Sequence, residues 1–196
     1  MTEVISSRSY FEIFSLPVGW IIERAAVDAR YRQLQQEFHP DRYAAKGDVD
    51  KRLAVQTAAL INDAYQTLIS PLKRAQYLMQ LDGIDADQES HITSDGAFLM
   101  SQIELREELA DIGQDGPSLA ALEALASLEQ RVGATYAGLQ DEFSAHYSAG
   151  DQAAAFDTVA KMQFFVKLLD QVEALEEQLD SLSCLLYTSD AADDTP

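Results

Sequence analysis

The residue types best suited to chemistry or close recognition gather in one stretch of this 196-residue chain, Glu37-Phe38-His39-Pro40-Asp41-Arg42. His39 and Asp41 supply a hydrogen-bond donor and an ionic acceptor two positions apart, with Pro40 fixing the backbone between them. Proline cannot continue a helix, and it pushes the residue before it out of the α region. The amphipathic run that leads in must therefore stop near Phe38, leaving His39, Pro40 and Asp41 on a polar loop between two helices, where function concentrates. A catalytic His–Asp pair is a poor reading, because no nucleophile is suggested nearby. The other histidines, His91 and His146, show no ligand spacing with His39, and the single cysteine, Cys184, excludes a cysteine-cluster metal site and an internal disulfide. No cofactor and no metal are expected, and the chain is not expected to be an enzyme.

The elements that would hold this loop are helical. Tyr10, Phe11, Ile13, Phe14 and Leu16 form a short first helix ended by Leu16-Pro17. A second runs from about Ile22 to Phe38, with Val27, Tyr31, Leu34 and Phe38 on one face of a 3.6-residue period. Arg24, Arg30 and Arg32 lie mostly off that face. After a polar stretch, Tyr43 to Asp50, a third helix sets Leu53, Leu60, Ile61, Ala64 and Leu68 on one side and ends near Ser70-Pro71. A fourth spans Lys73 to Leu81, with Ala75, Leu78 and Leu81 apolar, and closes near Asp82-Gly83.

Residues 83–95 read as a polar linker. Helical pattern resumes from Gly96 to about Ile112, then from about Ser118 to Tyr147, with Leu122, Leu125, Val132, Tyr136, Leu139 and Phe143 close to heptad spacing. Ser148-Ala149-Gly150-Asp151 breaks that run. The last helix spans about Gln152 to Leu182, with Leu168, Val172, Leu175, Leu179 and Leu182 at four-three spacing. Three such helices with short turns make an antiparallel bundle. No stretch alternates long enough to be a convincing strand, so the expected fold is all-α in two domains, 1–82 and 96–183. Residues 184–196 fit no amphipathic pattern and are expected to be a non-native or disordered tail.

Charge separates the two halves. The chain holds 14 Lys and Arg against 33 Asp and Glu, a formal charge of −19. Residues 1–82 carry ten bases and ten acids, so the whole of that charge falls in residues 83–196, with four bases and 23 acids. Such a shift suggests two domains with different partners. It argues against nucleic acid, because phosphate binding needs a net basic surface. No apolar run approaches the roughly 20 residues needed to span a bilayer, and MTEVISSRSYFEIF lacks the marks of a signal peptide. No membrane association is expected, and the localisation expected is cytoplasmic.

Tyr10-Phe11 opening a short helix, Ala29-Arg30-Tyr31-Arg32-Gln33-Leu34, and His39-Pro40-Asp41 before a further helix together resemble a J-domain, the module by which co-chaperones act on DnaK-type ATPases. Ala64-Tyr65-Gln66-Thr67-Leu68 and Pro71 to Leu78 narrow the likeness, as does Phe98 to Leu109 in the second half. These segments resemble the HscB family of iron–sulfur assembly co-chaperones, over essentially residues 9–183. The absence of the cysteine-rich N-terminal extension of eukaryotic relatives points to a bacterial type. The resemblance implies an N-terminal J-domain that stimulates ATP hydrolysis by the specialised chaperone HscA. It also implies a C-terminal three-helix bundle that binds the cluster scaffold IscU.

Carried over residue by residue, the resemblance makes His39, Pro40 and Asp41 the trigger of the ATPase. Arg30, Arg32 and Arg42 become contacts to an acidic chaperone surface, preferred over Arg24. It makes Leu99, Met100, Ile103, Glu104, Glu107, Asp111 and Phe164 the contacts to the scaffold; Asp111 stands where the family tends to have glutamate. Elementary packing supports a binding face here. Phe98, Leu99, Met100, Ile103, Leu105, Leu109 and Ile112 are too many apolar residues for one core stripe, so some are expected at the surface. Glu104, Glu107, Glu108 and Asp111 form an acidic band beside them. Phe164 and Phe165, about 100° apart on a helix, are not expected to centre one seam together. An alternative reading keeps the J-domain but gives the acidic bundle a different client, or makes it a tether.

Overall fold

The computed structural model describes residues 8–39, 47–86, 95–114 and 116–190, with side chains in the last helix described to Leu182. Among them are seven helices and no strand. Two compact units form, Met1–Asp87 and Gln88–Pro196.

In the first unit α1 (Tyr10–Ile13) is closed by a capping box. The Ser9 hydroxyl accepts from the Glu12 amide, and the Glu12 carboxylate accepts from the Ser9 amide at 2.7 Å. α2 (Arg24–Glu37) and α3 (Asp48–Ile69) form the hairpin, and α4 (Pro71–Leu81) follows directly. α2 buries Val27 and Leu34, with Phe38 at its C-cap. On α3 the buried stripe is Ala54, Thr57, Ile61, Ala64 and Leu68, with Leu53 and Leu60 only half-buried at its margins. The polar stretch before α3 is shorter than expected, because Gly47 caps the helix and Asp48 and Asp50 fill its first turn, where acids meet the positive end of the dipole.

Ser70 and Pro71 turn α3 into α4: the Ser70 hydroxyl accepts from the Lys73 amide, and proline occupies a position that needs no amide. On α4 it is Met79, not Leu81, that completes the core with Ala75 and Leu78. Leu81 is 43% exposed, in the last turn before Gly83 (φ +82) ends the helix. Arg74 is nearly buried. Its Nη1 donates to the Leu68 carbonyl at 2.6 Å, at the C-terminal end of α3, and its guanidinium lies 4.5 Å from the Trp20 ring. A cation at that carbonyl-rich end complements the helix dipole.

The second unit is an antiparallel three-helix bundle of α5 (Gly96–Gln114), α6 (Leu119–Ala149) and α7 (Gln152–Asp190). Ser118 caps α6 through the Ala121 amide, and Gly150 ends it at φ +73, a left-handed conformation that glycine adopts without strain. α6 and α7 pack along most of their length; α5 meets each over a shorter stretch. Leu125, Leu128, Val132, Leu139 and Phe143 face Val159, Met162, Phe165, Leu168, Val172 and Leu179 across the interior. Leu182 lies beyond this seam and is exposed.

α7 does not stop at Leu182 but continues to Asp190. Helix propagation adds one hydrogen bond per residue once begun, and Ser183 to Asp190 contains neither glycine nor proline.

Candidate functional site

Just past α2, His39 follows the C-cap residue Phe38 and is exposed. A cleft of about 320 Å³ beside it is lined by Leu34, Gln35, Phe38, Ala58, Ile61 and Asn62. Pro40, Asp41 and Arg42 lie outside the described residues. Arg32 is exposed on α2, seven positions before His39. Arg30 is half-buried and donates from Nη1 to Gln33 Oε1 at 3.4 Å. At 100° per residue it falls roughly 160° around the helix from Arg32. The two arginines therefore flank the helix rather than share a face.

Arg24 is engaged internally. Its Nε lies 2.9 Å from Asp28 Oδ1, and its Nη2 donates to the Tyr65 hydroxyl at 3.3 Å. The Tyr65 hydroxyl in turn donates to Asp28 at 2.9 Å. That hydrogen bond, joined by Arg24, holds the Asp28 carboxyl below its ordinary range. Tyr65 stacks on Tyr31 at 4.0 Å, and the Tyr31 hydroxyl donates to Asn62 at 2.8 Å. This polar and aromatic network laces α2 to α3 and fixes the helix from which His39 projects. Across the same unit the Tyr10 hydroxyl donates to Asp63 at 2.5 Å, and burial, then this hydrogen bond, push its pKa up to about 12.

On α5 the expected surplus of apolar residues resolves into two faces. Ile112 is buried and Phe98, Leu105 and Leu109 are half-buried, all turned to the bundle. Leu99 (37% exposed), Ile103 (50%) and Met100 (57%) turn outward. Glu104, Glu107 and Asp111 are exposed as well. At 100° per residue the six outward residues fit within an arc of roughly 140°. Glu108, the fourth member of the acidic band, leaves it: its carboxylate pairs with the Arg131 guanidinium of α6.

Phe164 differs from expectation. It and Phe165 are both buried, Phe164 at 8% exposure. α7 faces two neighbours, so adjacent aromatics can each find one. Phe98 of α5 meets Phe164 edge-on at 5.8 Å and Phe165 at 6.1 Å, and Phe164 meets Phe165 at 5.2 Å. The Arg106 guanidinium lies 5.2 Å over the Phe164 ring.

The start of α5 is pinned to α7 by groups that sequence reading overlooked. Asp95 Oδ1 accepts from the Phe98 amide at 3.1 Å, and its Oδ2 receives Lys161 Nζ at 2.9 Å. Lys161 also reaches Asp157 at 3.4 Å and lies 5.5 Å from the Phe98 ring. The Lys161 hydrogen bond, with the Phe98 amide, holds the Asp95 carboxyl below its ordinary range, and the same bond raises the lysine. Among the described residues no group of three His, Cys, Asp or Glu is placed to hold a metal ion.

Residues 94–173 match the family model described as the HSCB C-terminal oligomerisation domain. The chain is similar to the chaperone HscB from Vibrio cholerae at 37% identity, covering 88% of this chain and 99% of that one, with a TM-score of 0.76. The chain belongs to the HscB co-chaperone family. It is also similar to the human co-chaperone protein HscB at 28% identity, over 86% of this chain and 82% of that one, with a TM-score of 0.77. The fold extends to the co-chaperone Jac1 from Saccharomyces cerevisiae, at 23% identity over 85% of this chain and 97% of the other, with a TM-score of 0.65.

Within the HscB family the first unit is the J-domain and the second the C-terminal helical domain. Identity to the bacterial protein fits a bacterial type. Arg106 and Lys161 were the residues missed. One signal existed in the sequence: Arg106 is the single Lys or Arg in the 19 residues of α5. Nothing comparable marks Lys161, whose partner lies 66 positions away.

Proposed function

We propose that this chain binds the iron–sulfur scaffold protein IscU through the outward face of α5 and delivers it to the DnaK-type chaperone HscA. The observation that carries this reading is the one-sided arrangement of Leu99, Met100 and Ile103 beside Glu104, Glu107 and Asp111. Exposed leucine, methionine and isoleucine at one spot supply desolvation energy and adaptable packing. The carboxylates select a basic partner and speed its approach. Phe164 on α7, buried beneath Arg106, adjoins the patch as a further anchor. His39, Pro40 and Asp41 trigger ATP hydrolysis, with Arg30, Arg32 and Arg42 as contacts to an acidic chaperone surface.

The protein thus works as an adaptor in the cytoplasm and performs no bond chemistry of its own. Among the described residues no helix is long and apolar enough to cross a membrane. The test has two arms. The intact chain should capture the scaffold and stimulate the chaperone's ATPase. His39→Gln should abolish stimulation while leaving helicity and scaffold capture unchanged; stimulation that survives the change refutes the trigger assignment.

A second reading follows from the family description, which speaks of oligomerisation. A second copy could cover the same face. Symmetric pairing would set Glu104, Glu107 and Asp111 against their own kind, so a basic partner suits the face better. Sedimentation at micromolar concentration separates the two: a monomer that captures the scaffold supports the first reading, whereas a dimer broken by Leu99→Ala and Met100→Ala supports the second.

A further inference from the structure

Arg106 occupies an unusual position on α5. It stands between the outward face and the bundle, next to Leu99 and Ile103, on a helix whose outward side carries Glu104, Glu107 and Asp111. Yet among the described residues no ion pair joins it to any of them. The spacing explains why. Helical neighbours lie three and four positions apart, and for Arg106 those positions are Gln102, Ile103, Leu109 and Ala110. No carboxylate on its own helix can hold it. Its guanidinium instead covers the Phe164 ring at 5.2 Å, while Arg131 and Lys161 are occupied by Glu108 and by Asp95 and Asp157.

We infer that Arg106 is a displaceable cover over Phe164, and that it determines which partners reach this aromatic anchor. A partner must bring an aliphatic or aromatic side chain able to take the place of the guanidinium. This rests on the scaffold-binding reading of α5 and deepens it. Charge complementarity favours a basic surface around that side chain, because the uncovered rim is acidic. A solvent-exposed guanidinium over an aromatic ring is worth a factor of about two to five in an equilibrium. The cover is therefore weak enough to be moved by a well-fitting partner and strong enough to disfavour a purely electrostatic one. Since no carboxylate at helical spacing retains the displaced arginine, it returns to the ring when the partner leaves.

The test uses the full chain and the scaffold protein. The Arg106 side-chain protons, which lie over an aromatic face, should show an upfield ring-current shift in the free protein that is lost at saturation with scaffold. Arg106→Ala should tighten scaffold binding about two- to fivefold, and the gain should vanish when Phe164→Ala is also present. A ring-current shift that persists in the complex overturns the inference, as does weaker binding by Arg106→Ala. A gain that survives Phe164→Ala also overturns it, because that result reports a bulk charge effect. Failure of the wild-type chain to bind the scaffold instead removes the underlying reading, and the cover with it.

Discussion

α5 and the α6–α7 pair draw on the same residue types and use them in opposite ways. α7 places Val159, Met162, Phe165, Leu168, Val172 and Leu179 almost wholly inside, against a matching row from α6. Each such side chain contributes about 1.5–3 kcal/mol when fully removed from water. α5 is nearly as apolar, but Ile112 is its one buried residue. Its leucine, methionine and isoleucine at 99, 100 and 103 face outward. Charge and aromatic contacts take the place of burial: Asp95 with Lys161 at the start, Glu108 with Arg131 in the middle, Arg106 on Phe164. A helix whose apolar residues at 99, 100 and 103 stay outward is fastened to its own bundle by polar contacts.

The contrast is sharpest under truncation. Leu168→Ala in the seam should destabilise the protein by about 2–5 kcal/mol in chemical denaturation; a loss under about 1 kcal/mol would mean that the seam is not the main source of stability. Leu99→Ala with Met100→Ala should change stability by no more than about 0.5 kcal/mol yet weaken scaffold binding by about tenfold or more. Equal losses in stability and affinity would erase the distinction between seam and face.

A smaller effect is expected at the fastening. Lys161→Met should speed hydrogen exchange over the first two turns of α5, leave the α6–α7 seam protected, and weaken scaffold binding a few-fold. Lys161→Arg should restore both. The smallest effect is set by pH. Because folding lowers the Asp95 carboxyl, its contribution is present above the unfolded value near about 4. It fades as pH falls through the lower folded value. Because folding raises Lys161, its part is present below about 10.4 and fades only as pH rises through the higher folded value. The Phe98 amide resonance should therefore stay constant across the neutral range and move on acidification below about pH 4; movement around neutrality would contradict the pin.

Regular features were legible in the sequence for a physical reason. Leu125, Val132, Leu139 and Phe143 repeat at the helical period, so periodicity alone revealed α6, and Gly150 marked its end. Proline stops helices without help from tertiary contacts, which placed the ends of α2 and α3. The outward face of α5 was legible by excess, since more apolar residues were present than one stripe can bury. Pairings between distant positions were not. Glu108 left the acidic band because Arg131, 23 positions on, is brought beside it by packing. Phe164 went under cover because Phe98 and Arg106 come from another helix. Met79 replaced Leu81 inside because one turn near a helix end decides which residue still faces the core.

The outward set of α5 has a consequence over evolutionary time. Changes at Leu168 or Phe143 are screened first for whether the chain folds at all, so those positions record the fold. Changes at Leu99, Met100 and Ile103 meet that screen less strictly, because these side chains face outward. Under the scaffold-binding role proposed above, what persists at those three positions in a lineage is a record of partner identity, kept apart from the record of folding on the same short helix.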